Sequence, residues 1–186
     1  MLKGQKVVLR EKRWEDAVED YEWRRDEELA RLDAAQPLKA SYNEYLFDHA
    51  TELTTPSDRR KRFAIDTMDG THIGNCMFYD IDKKKGQAEL GIMIGVRDYW
   101  QKGYGTDTIT LLLNHIFSST SLNRVYLKTL DWNVRAQACF GKCGFVPYGK
   151  TRACRNTFVN MEITREDWER RVFASPRPDT ARKTSE

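Results

Sequence analysis

An apolar run, Leu90-Gly91-Ile92-Met93-Ile94-Gly95, leads through a short polar link into Gln101-Lys102-Gly103-Tyr104-Gly105-Thr106 and then into Ile109, Leu112, Leu113 and Ile116. The last four are spaced i, i+3, i+4, i+7, the period of a helix with one buried face. The order is therefore strand, glycine loop, helix. Glycines let a backbone approach a ligand closely and turn its amides outward. The first amides of a helix have no internal partner, and the helix dipole adds partial positive charge there. Such a place suits a phosphate, here a pyrophosphate.

Three readings of the loop compete. A dinucleotide fingerprint would follow a first strand and have an acidic ribose ligand about twenty residues on. This loop lies past mid-chain, and the corresponding region, Val125-Tyr126-Leu127, is apolar. A plain glycine turn before a surface helix is the bland reading. The third uses the wider context. Ala88 to Thr106, with Tyr99-Trp100 ahead of the loop, closely resembles the acetyl-CoA-binding segment of the GNAT superfamily of N-acetyltransferases. A second segment, Asn133-Val134-Arg135-Ala136, then Phe140, then Gly144-Phe145, is similar to the family's Asn-x-x-Ala-x-x-x-Tyr-x-x-x-Gly-Phe helix. The opening, Leu9-Arg10 and Trp14-Glu15-Asp16-Ala17, resembles the branch containing ribosomal-protein N-terminal (alanine/serine) acetyltransferases. Together the segments span roughly residues 5 to 168, in family order.

The resemblance implies an α+β GNAT fold: a central mixed, mostly antiparallel sheet with a splayed strand pair and helices on both faces. It implies acetyl-CoA as cosubstrate. The backbone of Gln101, Lys102, Gly103, Tyr104, Gly105 and Thr106 would hold the pyrophosphate. Ile92, Met93 and Ile94 would run beside the pantetheine arm and pair with it like an added strand. Asn133 would hydrogen-bond pantetheine, and Phe140 would pack near the thiol. The implied reaction is direct attack of a primary amine on the thioester. Glu89, where relatives often carry a functional carboxylate, is the candidate base or positioning group, acting through water. The competing reading is that Glu89 only pairs with a neighbouring cation or faces solvent.

Two positions depart from the family pattern. Many relatives have tyrosine at the place of Phe140, and some have serine at that of Ala136; neither residue here can donate a proton. Water, Cys139, Cys143 or Tyr148 would have to reprotonate the departing thiolate. The same departures motivate an alternative function, a non-catalytic acyl-CoA-binding or sensor protein.

Composition bounds the rest. The chain has 186 residues, 40% hydrophobic and 32% charged, room for one globular domain. We expect a single acetyltransferase domain over 1–174 and a disordered polar tail over 175–186. No apolar stretch approaches the length of a membrane span, and the opening residues lack an apolar signal core. The net charge of +3 comes from interleaved signs, which does not favour nucleic acid. Four cysteines show no zinc spacing, so no metal is expected and reduced cytoplasmic thiols are the default. His115 falls beside core positions and reads as structural.

Along the chain, Lys6–Arg10 reads as a strand and Trp14–Leu32 as one charged amphipathic helix with Val18, Tyr21, Leu29 and Leu32 buried. Its carboxylates, among them Asp16, Asp20, Asp26 and Glu28, either attract a cationic amine or form a solvated face balanced by Arg24, Arg25 and Arg31. Ser41–Leu53 carries a capping box, Ser41 with Glu44. Strands follow at Arg62–Thr67 and Thr71–Tyr79 around a Met68-Asp69-Gly70 turn, then at Gln87–Gly95, Leu122–Leu130, Phe145–Tyr148 and Phe158–Ile163. Helices are expected to Ser118 after the glycine loop, over Asn133–Cys143 and over Thr164–Val172. The acceptor is an amine, either a peptide or protein N-terminus or a small molecule such as a polyamine. Dimers are frequent among relatives, so a homodimer is among the expectations.

Overall fold

The computed structural model describes residues 1–55 and 57–174, and the tail expected to be disordered lies outside them. Among the described residues eight strands form one sheet: β1 (Leu2–Lys3), β2 (Val7–Arg10), β3 (Arg60–Thr67), β4 (His72–Asp82), β5 (Gln87–Ile94), β6 (Arg124–Leu130), β7 (Val146–Ala153) and β8 (Asn156–Thr164). Their order is β1-β2-β3-β4-β5-β6-β8-β7. All neighbours run antiparallel except β5 and β6, which are parallel. That parallel pairing covers three rungs, Gln87 to Arg124, Ala88 to Val125 and Glu89 to Tyr126, and then stops. β5 continues to Ile94 and β6 to Leu130, so the two strands part into an open fork. This is the mixed sheet and splayed pair expected from the sequence.

Among the described residues six α-helices flank the sheet: α1 (Ala17–Arg25), α2 (Glu27–Leu32), α3 (Tyr42–Thr54), α4 (Tyr104–Ser119), α5 (Val134–Lys142) and α6 (Arg165–Ala174). α4 is the apolar centrepiece. Ile109, Leu112, Leu113 and Ile116, the positions read from its periodicity, are all essentially inaccessible. They pack with Ala88 and Leu90 of β5, Val125 and Leu127 of β6, and Phe140 of α5 in one core cluster. Strand alternation sends Glu89, Gly91 and Met93 to the opposite face, towards α1 and α2. Met93 there lines a small hollow with Trp23, Leu29 and Ala30. His115 packs edge-on against Phe63 and Phe78 at 5.7 and 6.3 Å between centroids, as a structural residue does. Among the described residues no helix is long and apolar enough to cross a membrane.

The expected long helix over Trp14–Leu32 is broken. A 3-10 turn at Trp14–Asp16 precedes α1, and Asp26 separates α1 from α2 with extended backbone (φ −66°, ψ 122°). The Asp26 carboxylate accepts from the Leu29 amide at 2.9 Å and so serves as the N-cap of α2. A short acid gains more by capping than by sitting mid-helix. The buried set also differs. Tyr21 and Leu29 are buried, but Val18 is exposed, and Asp16 and Asp20 take the inner positions. The strands β4, β7 and β8 run longer than expected. β7 and β8 are joined through Cys154 and Arg155, both with positive φ, as a tight hairpin turn of the primed kind requires. Neither residue advertises such a turn.

The reason that α1 buries acids is an ion cluster beneath it. Arg10 donates to Asp16 at 2.7 and 2.9 Å and to Asp66 at 2.6 Å. The Lys12 ammonium lies 2.5 Å from Asp20, which also accepts from Asn75 at 2.6 Å and sits 3.3 Å from the His72 ring. Burial alone would push the Asp20 carboxyl up, but bonds from His72 and Asn75 and the charge of Lys12 outweigh it and hold it below the usual carboxylate range. For Asp16, burial is likewise overcome, by Arg10, the Arg13 amide and Lys12. Carboxyls held low in the folded state stabilise it above their ordinary pKa, and that stabilisation is lost as pH falls through the native values. Asp16→Asn should cost about 3–5 kcal/mol at neutral pH, since it leaves Arg10 buried and underpaired. Urea unfolding at neutral pH and at about pH 3 should show that most of the difference between variant and parent survives at pH 3, because the native Asp16 carboxyl is held far below the usual carboxylate range and stays charged there.

Candidate active site

The two ends of the fork are built by different physics. At the closed end stands Glu89. Its register partners are Tyr79 on β4 and Tyr126 on β6, so three side chains share one face at the last rung. Glu89 is buried, 7% exposed, and lies beside the Tyr79 phenol across the β4–β5 rung. The Lys128 ammonium, on the open side of the fork, is 3.5 Å from Glu89 Oε1. This carboxylate thus lies at the fork and has a cation partner. Burial first, then the Glu89 charge and hydrogen bond, push the Tyr79 phenol up; burial and Glu89 do the same to Tyr126. Both phenols are therefore donors rather than bases near neutrality.

Along the open edge, main-chain direction matters. The Gly95 amide donates to Ile73 of β4 at 2.8 Å. Because successive residues of a strand point their main-chain groups to opposite edges, Met93 also faces β4. Ile92 and Ile94 face the fork, where β6 no longer pairs with β5. Of the three residues expected beside pantetheine, Ile92 and Ile94 turn their backbone to the fork, while Met93 turns its backbone to β4. The Ile94 carbonyl already accepts from Trp100 Nε1 at 2.7 Å. Arg135 of α5 stacks on Trp100 with 3.9 Å to the ring centroid.

At the far end is the glycine loop. Gly103 is the N-cap of α4 with φ +88°, and no side chain caps this helix end. Gln101 also has a positive φ, 58°. The amides of Tyr104, Gly105 and Thr106 form the first turn, whose N–H groups find no partner within a helix. The one acid of that turn, Asp107, points away: its carboxylate accepts from the amides of Gln5, Lys6 and Val7 at 3.2, 2.7 and 3.1 Å. Lys6 is thereby brought to the loop, with its ammonium over the Tyr104 ring at 5.6 Å. Lys102 itself is exposed. Amides, dipole and a cation at one uncapped helix start make a site for a phosphate group.

Asn133 is the N-cap of α5, its side chain accepting from the Ala136 amide at 3.2 Å. Phe140 is buried against Phe145, edge-on at 5.8 Å. The alternative proton donors lie elsewhere than Glu89. Cys139 is 3.4 Å from the Thr106 hydroxyl, and Cys143 donates to the Thr106 carbonyl at 3.6 Å, so both thiols face the first turn of α4. Tyr148 stacks with Arg124, which is held by Glu162 at 2.6 Å and Gln87 at 2.9 Å. Among the described residues no three His, Cys, Asp or Glu side chains converge as a metal site needs. Sequence reasoning missed Tyr79, Tyr126, Lys128 and Lys6. Strand register brings the first three to Glu89, and the contact between Asp107 and residues 5–7 brings in the fourth; neither is a local signal.

Residues 6–146 match the family model of the GNAT acetyltransferase domain, and the chain belongs to that family. An uncharacterized N-acetyltransferase, p20 of Bacillus licheniformis, is 32% identical over 80 residues, 43% of this chain and 44% of the relative. YdaF of Bacillus subtilis, whose name assigns it provisionally to ribosomal N-acetylation, is 25% identical over 107 residues, 54% of this chain and 58% of the relative. The matched part of this chain thus spans about half the length of these curated relatives. Among solved structures, spermidine N-acetyltransferase from Vibrio cholerae in complex with CoA and spermine superposes with a TM-score of 0.78. The identity there is 19%, over 88% of this chain and 98% of that one, a likeness of fold.

Gly103→Asp tests the loop. Aspartate tolerates a left-handed backbone better than most residues, at a cost of about 1–2 kcal/mol. A Cβ there meets nothing closer than 3.6 Å, the Lys6 side chain. The variant should fold and should lose CoA binding by calorimetry; undiminished binding would remove the loop from the site.

Proposed function

We propose that this chain is an acetyl-CoA-dependent N-acetyltransferase that acts on a primary amine by direct attack. The observation that carries the reading is the fork. β5 carries a buried carboxylate, Glu89, at the point where the strands part and an open edge beyond it, and the chain then leads into the uncapped start of α4. The first-turn amides of α4, with Lys6 beside them, would hold the pyrophosphate. Ile92 and the Ile94 amide would pair with the pantetheine arm as an added strand. That alignment leads the thioester towards Glu89.

Attack needs a neutral amine. For an ordinary peptide α-amine, with pKa near 8, deprotonation at neutral pH costs about 1.4 kcal/mol; for an alkyl amine near 10.4 it costs about 4.6 kcal/mol. Glu89 takes that proton, through water, with the Tyr79 phenol paired across the strand beside it. Phe140 and Ala136 supply no proton, and Cys139 and Cys143 are turned to the phosphate loop. The departing thiolate is therefore protonated from solvent, which a fairly good leaving group tolerates. Free cysteines, two of them buried, suit the reducing cytoplasm where we place the protein.

The acceptor class follows from what surrounds Glu89. Asp33 and Asp80 add their negative charge to that of Glu89 around Tyr79. The carboxylates of α1 and α2 contribute less, because Asp16 and Asp20 belong to the buried cluster and Asp26 and Glu28 hold Arg97 at 2.8 and 2.9 Å. An amine is the acceptor on this reading, either a peptide N-terminus, towards which the branch resemblance leans, or a small polyamine-like molecule.

CoA thiol release from acetyl-CoA, measured over N-terminal peptides, polyamines, amino acids and aminoglycosides, should give at least one clear acceptor. With that acceptor, Glu89→Gln should lower kcat by about 10²–10⁴-fold and leave acetyl-CoA affinity in place. Silence across the panel with acetyl-CoA bound would favour the sensor reading instead.

A further inference from the structure

β6 presents Arg124, Tyr126 and Lys128 on the face that carries Glu89. Arg124 is locked: Glu162 and Gln87 accept from it, and the rings of Tyr126 and Tyr148 lie 4.9 and 5.0 Å from its guanidinium. Lys128 is held in another way. Its side chain is 48% exposed, and its ion pair is with the carboxylate proposed as the base. At 3.5 Å that pair is longer than a tight charge-assisted hydrogen bond. Lys128 stands two residues past the last β5–β6 rung, about 7 Å up the open arm of the fork. Its ε-amine thus occupies the place that an acceptor amine must take to pass a proton to Glu89, and it belongs to the same chemical class as the acceptor.

We propose that Lys128 is itself an acceptor: the protein acetylates its own Lys128 from bound acetyl-CoA. This rests on the function proposed above. The ammonium gives one proton to Glu89 or its water and becomes neutral. Nζ then forms a bond to the thioester carbonyl carbon, and the C–S bond breaks with its electron pair leaving on sulfur. A second proton leaves nitrogen as the amide forms. One of the two protons ends on the CoA thiol and the other in solvent, with no oxidant or further reactant needed. The product is a neutral side chain, and Glu89 loses its cation.

The experiment is mass spectrometry of the full chain after incubation with acetyl-CoA bearing an isotopically heavy acetyl group, with peptide mapping of every modified lysine. In the same samples acetyl-CoA binding is followed by calorimetry and transfer to added amines by thiol release. The expected result is one acetyl group per chain, on Lys128, formed at a rate unchanged on dilution of the protein. It should be lost in Lys128→Arg, in Glu89→Gln and in Gly103→Asp. Binding and transfer to an added amine with Lys128 unmodified would overturn this inference and leave the proposed function standing. Acetylation scattered over exposed lysines and persisting in Gly103→Asp would overturn it as uncatalysed chemistry. Failure of the parent chain to bind acetyl-CoA would overturn the site and the inference together.

Discussion

Three rungs of parallel main-chain pairing, from Gln87–Arg124 to Glu89–Tyr126, hold the two halves of this sheet together. On one side β5 is committed to β4, and on the other β6 is committed to β8 over seven residues. Each strand has one satisfied edge, and past Glu89 the other edge belongs to neither. Buried main-chain groups rarely go without partners. A fork of this kind therefore asks for something strand-like to lie in it. The apolar face of α4 fills the space beneath, so the fork is open on one side and packed on the other.

What could be read from the chain follows from how local each signal is. The α4 periodicity, the capping box of α3 and the glycine loop are written within a few residues of one another, and all three occur as expected. The order of segments was enough to give the fold class through family resemblance. The break at Asp26 was not legible, because its cap competes with a helical pattern that continues on both sides. The β7–β8 turn was not legible either, since Cys154 and Arg155 are not turn-forming types. At the site, Glu89 and the loop could be named from sequence. Their company could not, because Tyr79, Tyr126 and Lys128 reach Glu89 by register across three strands, and Lys6 reaches Gly103 from the far end of the chain.

The ion cluster beneath α1 inverts the usual reading of an amphipathic helix. Asp16 and Asp20 face inward because Arg10 and His72 on the sheet, and Lys12 just past β2, meet them there. Greasy packing would position α1 only loosely in rotation, whereas bonds of fixed direction do so to a narrow angle. Since α1 and α2 lie over the face that carries Glu89, the cluster fixes how those helices sit above that face.

Trp100 closes the account of the open edge. By donating to the Ile94 carbonyl, it satisfies one of the main-chain groups that a strand-like ligand would otherwise use. The indole thus competes for the outermost main-chain acceptor of this edge, and leaves the groups nearer the closed end of the fork, at Ile92 and the Ile94 amide, as the ones a strand-like partner meets without a rival.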